Sequence, residues 1–122
     1  MKILVVDDSD DTREMMTKLL ELESFTVITA EDGRAGLNKA YSELPDLIIT
    51  DINMPNLNGI EMIRMLREHP GVGGVPIMAI TAYGQTVATE ALAAGADRAA
   101  TKPIEFTSLM HGIKQLLLRT AE

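Results

Sequence analysis

Five short apolar runs alternate with five longer stretches of helical period along this chain of 122 residues. Two of these runs, within DLIIT and PIMAI, are apolar at consecutive positions, as is typical of parallel strands that helices cover on both faces. Strict alternation of strands and helices predicts an α/β fold with a doubly wound parallel sheet and right-handed crossovers. The predicted strands span residues 3–6, 26–29, 47–50, 77–80 and 98–101. The predicted helices span residues 10–22, 33–41, 59–67, 86–93 and 105–118.

Polar side chains follow the apolar runs at the points where the predicted strands end. Asp7 and Asp8 follow the first run, Asp51 the third, Thr81 the fourth and Lys102 the fifth. In a doubly wound sheet, ligands bind at the carboxyl ends of the strands, where the strand order reverses. We therefore expect these five residues, although far apart in the sequence, to meet at one edge of the sheet.

Three carboxylates, a hydroxyl and an ammonium group suit a hard cation such as Mg²⁺, which prefers oxygen ligands. Carboxylates this close repel one another, and a divalent cation would offset that repulsion. One carboxylate could also act as a nucleophile towards phosphorus, while the metal and the lysine neutralise the transferring group. The sequence therefore favours phosphoryl chemistry at a magnesium site.

Composition narrows the range of partners. The net charge of −7 and the aromatic content of 3% argue against nucleic acid, which binds through basic patches and aromatic stacking. No cysteine is present, so disulfides and thiolate metal sites are excluded. No apolar run approaches the roughly 20 residues of a membrane span, and the start MKILVVDD turns acidic too early for a signal peptide. We expect a cytoplasmic protein with no membrane partner.

The length and the apolar content of 46% are enough for one folded domain, which we place at residues 1–122. The first strand begins almost at the amino terminus, and the chain stops soon after the last predicted helix. These positions favour a stand-alone domain over one part of a longer regulator.

Four short motifs occur in order at the strand ends: VVDD, DINMP, TA and KP. The set resembles the receiver domain of two-component response regulators, and the resemblance extends from residue 3 to about residue 118. It implies a flavodoxin-like (βα)5 fold with strand order 2-1-3-4-5, similar to the stand-alone chemotaxis regulators. It also implies a signalling phosphoprotein that takes its phosphoryl group from a phosphohistidine on a histidine kinase or histidine phosphotransfer protein. Such a domain is no conventional enzyme, although it phosphorylates itself from a donor and slowly loses the phosphate.

The resemblance assigns a role to each residue of the site. Asp51 is the phosphoacceptor. The Mg²⁺ ligands are Asp8, Asp51 and the backbone carbonyl of Asn53, and Asp7 acts largely through water. Mn²⁺ can substitute for Mg²⁺. Lys102 pairs with the phosphoryl oxygens.

Further assignments concern the switch and its surroundings. Thr81 turns its hydroxyl to the phosphoryl group, and Tyr83 borders the path of the hydrolytic water. The bond between Lys102 and Pro103 is cis. Many members carry an aromatic switch three residues before the lysine, where this chain has Ala99, so that relay is absent.

The resemblance also implies a docking face for the phosphodonor on the first helix. Met16, Leu19 and Leu20 share its inward face at helical spacing, which leaves Met15 on the flank next to the acidic pair. We predict that Met15 and Thr12 contact the phosphodonor.

Other interpretations stay open. Taken singly, the aspartates could cap the next helix, and Lys102 could be a solvated surface lysine. Asp8, Asp10 and Thr12 also fit the Asp-x-Asp-x-Thr pattern of a metal-dependent phosphohydrolase of the haloacid dehalogenase type, in which Asp8 would be the nucleophile and Asp51 a turn residue. A third possibility is a receiver that acts as an interaction module without phosphorylation.

Overall fold

The computed structural model describes residues 1–121, with side chains described through residue 118. The strands are β1 (Lys2–Val6), β2 (Thr26–Ala30), β3 (Leu47–Asp51), β4 (Ile77–Thr81) and β5 (Arg98–Thr101). The helices are α1 (Asp10–Leu22), α2 (Gly33–Glu43), α3 (Gly59–Glu68), α4 (Gln85–Ala94) and α5 (Phe106–Ala121). All neighbouring strands are parallel, in the order β2-β1-β3-β4-β5. The predicted fold class and strand order are therefore confirmed.

The element boundaries differ from the predicted ones by a few residues at most. Strands β3 and β4 each include one more residue, Asp51 and Thr81, because these residues continue the pairing of the sheet. Asp51 lies opposite Ile80, and the N–H of Ile52 still donates to the carbonyl of Ile80. Helix α5 begins one residue later than predicted, because Glu105 caps this helix with its side chain from outside it.

Side chains of the central strands point alternately into two apolar cores. Leu4 and Val6 face the core beneath α2, α3 and α4, whereas Ile3 and Val5 face the core beneath α1 and α5. Strands β3 and β4 are buried along their whole length, and the edge strands β2 and β5 are more exposed. This confirms that the continuous apolar runs mark the interior of the sheet.

Side-chain caps determine where several of the helices start. Ser9 caps α1 by accepting the N–H of Thr12, Asp32 caps α2 and Asn58 caps α3. Each cap satisfies a backbone donor that the first helical turn leaves free. The caps therefore fix the ends of the loops that precede α1, α2 and α3.

The amphipathic face of α1 follows the predicted spacing. Met16 and Leu20 are buried in the core, Leu19 is half-buried, and Met15 and Leu22 are exposed. Within residues 1–121, no helix is long and apolar enough to cross a membrane.

Candidate functional site

Asp51 is the last residue of β3 and only 8% exposed. Its Oδ1 atom accepts a hydrogen bond from the N–H of Ile52 at 2.7 Å. The hydroxyl of Thr50 donates to the backbone carbonyl of Asp51 at 2.8 Å. The bond from Ile52 orients the carboxylate and the bond from Thr50 holds the backbone, which leaves Oδ2 of Asp51 to contact Lys102.

Asp7 and Asp8 follow β1 directly. Asp7 is buried, and its Oδ1 atom accepts the N–H of Ser9 at 2.9 Å, whereas Asp8 is exposed. The cap of α1 is the hydroxyl of Ser9. The alternative in which the two aspartates serve as helix caps is therefore wrong for Asp7 and Asp8.

The three carboxylates form a cluster of possible metal ligands. Asp7, Asp8 and Asp51 each offer one carboxylate oxygen, and these oxygens lie within 4.8 Å of one another. Oxygen donors at this spacing, two of them buried and one open to solvent, fit a hard cation that keeps part of its water shell. The residues present are thus compatible with Mg²⁺.

Lys102 reaches this cluster from the end of β5. Its Nζ atom lies 3.5 Å from Oδ2 of Asp51 and 3.7 Å from Oδ2 of Asp7. The N–H of Lys102 donates to the carbonyl of Thr81 at 2.8 Å, which fixes its backbone to the neighbouring strand. The bond to Pro103 is cis, as predicted. The structure places Lys102 among the carboxylates, so it is no freely solvated surface lysine.

The electrostatics of the cluster favour added positive charge. Burial raises the pKa of Asp7 above its ordinary value, and the neighbouring carboxylates of Asp51 and Asp8 raise it further. The amide of Ser9 and the ammonium of Lys102 act in the opposite direction, but the net shift of the pKa is upward. Three carboxylates beside one ammonium also leave the cluster with an excess of negative charge.

Thr81 is the last residue of β4 and is 1% exposed. Its hydroxyl oxygen accepts the N–H of Tyr83 at 3.0 Å. This bond still leaves the hydroxyl proton free to be donated, which a contact with a phosphoryl oxygen requires. Tyr83 is 65% exposed. Ala99 is partly buried and packs against the core beneath α2, α3 and α4.

Three other predicted residues lie on the loop before α3 and on α1. Asn53 is exposed two positions after Asp51, in the loop before α3. Thr12 is half-buried in the first turn of α1, and Met15 is 47% exposed on the same helix. The roles predicted for these residues stay predictions.

Arg13 also contacts the site, although its sequence position did not predict this. Its Nη1 atom donates to the backbone carbonyl of Asp7 at 2.6 Å, and its Nη2 atom pairs with the carboxylate of Asp10. The spacing of three between Asp10 and Arg13 on a helix is the signal that could have suggested this pair. Asp10 thus pairs with Arg13 and is no member of the carboxylate cluster, which weakens the phosphohydrolase alternative.

Comparison with known proteins gives one consistent result. A family model described as the response regulator receiver domain matches residues 3–114. The chain is 40% identical over 121 residues to the transcriptional regulatory protein CpxR homolog of Haemophilus influenzae, covering 98% of this chain and 52% of that protein. It therefore spans about half the length of that relative.

Two solved structures share the fold closely. The chemotaxis response regulator CheY4 of Vibrio cholerae has a TM-score of 0.86 and 32% identity, with 94% of this chain and 97% of that chain covered. The receiver domain of the Francisella response regulator 1452 has a TM-score of 0.90 and 28% identity, with 98% of each chain covered.

Proposed function

The chain belongs to the response regulator receiver domain family, and from this premise we propose that it is a phosphoacceptor signalling protein of a two-component phosphorelay. The observation that carries the proposal is the meeting of Asp51, Asp7 and Asp8 with Lys102 at one edge of the sheet. The phosphodonor is a phosphohistidine on a histidine kinase or a histidine phosphotransfer protein. The receiver domain spans residues 1–122.

Asp51 is the proposed nucleophile. Its carboxylate forms a bond to phosphorus as the phosphorus–nitrogen bond of the phosphohistidine breaks, and the electron pair of that bond stays with the histidine of the partner. The N–H of Ile52 orients the carboxylate, and the ammonium of Lys102 neutralises charge on the phosphoryl oxygens. The domain thus positions the nucleophile and stabilises the charge of the transferring group, as expected for phosphoryl transfer.

Asp8, Asp51 and the backbone carbonyl of Asn53 are the proposed ligands of Mg²⁺ or Mn²⁺, with Asp7 acting through water. When bound, the ion would supply positive charge that offsets the carboxylates and the transferring phosphoryl group. The carboxylate cluster supports this assignment, because three carboxylates face a single ammonium, that of Lys102.

Thr81 is the proposed switch residue. Its hydroxyl would donate to a phosphoryl oxygen on Asp51 and so carry the change into β4 and α4. Ala99 offers no aromatic ring to relay that change. Met15 and Thr12 on α1 are proposed to contact the phosphodonor.

Acetyl phosphate with Mg²⁺ tests the proposal, because the site itself holds the nucleophile and the lysine. We expect mass spectrometry to find one acyl phosphate on Asp51 in the wild type. We expect no modification of Asp51→Asn, a folded domain with altered metal affinity for Asp8→Asn, and slower transfer for Lys102→Ala.

Each alternative predicts a different result. A phosphohydrolase with Asp8 as nucleophile would retain phosphorylation in Asp51→Asn and lose it in Asp8→Asn. An interaction module without phosphorylation would leave the wild type unmodified by acetyl phosphate and by phosphorylated kinases from the source organism. Either result would contradict the proposal.

A further inference from the structure

The loop between β3 and α3, residues 52–58, carries Asn53 and is closed at its ends by the backbone. The N–H of Gly59 donates to the carbonyl of Ile52 at 2.7 Å. A Cβ atom on Gly59 would lie 2.4 Å from the carbonyl oxygen of Asp51, so only glycine permits this approach. The two ends of the loop are therefore held together. Between them, Met54 packs against the core, and the exposed residues 55 and 56 need a further attachment.

That attachment is a hydrogen bond to the neighbouring β2–α2 loop. The amide Nδ2 of Asn56 donates to Oδ2 of Asp32 at 2.8 Å, across 24 positions in the sequence. Asn56 has a φ of 69°, a left-handed conformation that asparagine tolerates better than most residues. Asparagine at this position therefore supplies the hydrogen-bond donor and also tolerates the left-handed backbone.

Asp32 accepts hydrogen bonds from helix α2 and from the loop with different carboxylate oxygens. Its Oδ1 atom caps α2 by accepting the N–H of Ala35 at 2.8 Å, and its Oδ2 atom takes the amide of Asn56. These two donors hold the pKa of Asp32 below its ordinary value, so the carboxylate is charged at neutral pH. A charged acceptor makes the stronger kind of hydrogen bond.

A backbone contact beside this bond places the loop against α2. A Cβ atom on Gly33, the first residue of α2, would lie 2.0 Å from the carbonyl oxygen of Leu57. Leu57 is buried, and its side chain belongs to the core beneath α2, α3 and α4. The start of α2 therefore forms a firm support on which the middle of the loop rests.

We propose that the Asp32–Asn56 hydrogen bond is a tether that positions the loop of Asn53 for metal binding, and that Asp32 and Asn56 are positioning residues of the site. Neither side chain belongs to the carboxylate cluster. The tether acts through the backbone of residues 53–56, which is the part of the loop that the Gly59–Ile52 bond leaves unsupported. This inference rests on the proposed function, in which the carbonyl of Asn53 is a metal ligand.

Two single variants remove the tether from opposite ends with little other change. Asn56→Gly keeps a residue suited to the left-handed backbone and deletes the donor. Asp32→Ser keeps a good helix cap and deletes the acceptor of Asn56. Asn38→Ala, at an exposed asparagine on α2, is the matched control.

The measurement is the Kd for Mg²⁺ of the unphosphorylated protein, determined by calorimetric titration well below the melting temperature of each variant. Partners that orient metal ligands affect affinity by about 10- to 100-fold. The tether is exposed and acts at a distance, so we expect a weakening of roughly three- to tenfold in each single variant. The double variant should be no weaker than the singles, and the control should bind like the wild type. Amide hydrogen exchange of Leu57, whose N–H donates to the carbonyl of Pro55 at 2.8 Å, should become faster in the metal-free form of the same variants.

Two outcomes overturn the tether while the proposed function stands. One is a wild-type Kd in both single variants, and the other is a double variant whose loss is the product of the two single losses. A wild type that binds no Mg²⁺ at all would instead overturn the proposed metal site, and the tether with it.

Discussion

The Nζ atom of Lys102 lies 3.5 Å from Oδ2 of Asp51, although 51 positions separate the two residues in the sequence. The same ammonium lies 3.7 Å from Asp7, so one positive charge is shared by two buried carboxylates. Asp8 adds a third carboxylate to the cluster. The site is thus arranged around an excess of negative charge, and its response to cations and to phosphate follows from that excess.

Mg²⁺ should stabilise the unphosphorylated protein. A ligand at a hundredfold excess over its Kd adds about 2.7 kcal/mol to the free energy of unfolding, which raises the Tm of a domain of this size by roughly 10 °C. Asp8→Ala should abolish this response and raise the Tm of the metal-free protein, because it removes repulsion. Calorimetric melting with and without Mg²⁺ measures both effects.

Asp11→Ala is the control for this experiment, since Asp11 is an exposed aspartate on α1 outside the cluster. It should keep the full response to Mg²⁺. A shift in Asp8→Ala equal to that of the wild type would contradict the proposed site.

The lifetime of the phosphoprotein should depend on Tyr83. The N–H of Tyr83 is bonded to the hydroxyl of Thr81, so its backbone lies beside the switch residue, and we predict that its exposed phenol borders the path by which water approaches Asp51. A bulky ring obstructs that path, and Tyr83→Ala and Tyr83→Glu should therefore lose phosphate several times faster than the wild type. The measurement is the decay of phosphorylated protein at saturating Mg²⁺.

Leu92→Ala, an exposed apolar residue on α4, controls for general effects of surface truncation and should decay like the wild type. Equal decay in all four proteins would remove Tyr83 from the hydrolytic step and favour a role at a partner surface.

Leu44→Gly should make the protein more stable. Leu44 ends α2 with a φ of 48°, and its side chain is 62% exposed, so it carries a left-handed backbone without compensating burial. That conformation costs a residue with a Cβ atom about 1–2 kcal/mol, a cost that glycine avoids. After the entropy cost of glycine, we expect a gain of roughly 0.5–1 kcal/mol in the free energy of unfolding, measured by urea denaturation.

The matched control for Leu44→Gly is Leu92→Gly, in the last turn of α4, where the backbone is helical and glycine should destabilise the protein by up to about 1 kcal/mol. If both substitutions lower the free energy of unfolding, the strain assigned to Leu44 is wrong.

The capping of α5 should depend on pH. The carboxylate of Glu105 accepts the hydroxyl and N–H of Ser108 and the N–H of Thr107, and these donors lower the pKa of Glu105. Because the folded pKa lies below the unfolded one, the contribution of Glu105 is fully present above the unfolded pKa and is lost as pH falls through the folded pKa. Glu105→Gln should therefore be less stable than the wild type at neutral pH, and the difference should disappear in acid.

Urea denaturation over a series of pH values measures this difference. Glu90→Gln, at an exposed glutamate on α4, should follow the wild type throughout. A difference for Glu105→Gln that is constant with pH would show that the carboxylate charge has no part in the cap.

Local patterns were enough to predict most of the architecture. A strand that is buried on both faces must be apolar at consecutive positions, and a helix on a core must repeat its apolar residues at helical spacing. The runs that contain Ile48 and Met78 therefore identified β3 and β4, and Met16 and Leu20 identified the buried face of α1. The end of each strand followed from the same patterns to within a few residues.

The proximity of the site residues also followed from the sequence, through the rule that parallel strands end at one edge. Asp7, Asp51, Thr81 and Lys102 all lie there because each directly follows or ends a strand of the same sheet. Strand order 2-1-3-4-5 could not be predicted in this way, because no local pattern encodes which strands become neighbours. It came from the resemblance to the family.

Only the tertiary structure decided how the side chains pair. Three contacts depend on distances between segments that are far apart or separated by a turn in the sequence. Lys102 pairs with two carboxylates, Arg13 donates to the carbonyl of Asp7, and Asn56 donates to Asp32. Such contacts are set by the packing of whole helices against the sheet, which determines the spacing of the loops to within an ångström. Periodicity and strand ends are local properties, so the elements and the chemistry at their ends can be predicted from the residues alone. The tertiary structure decided which charged groups meet, because hydrogen bonds and ion pairs form only at short range.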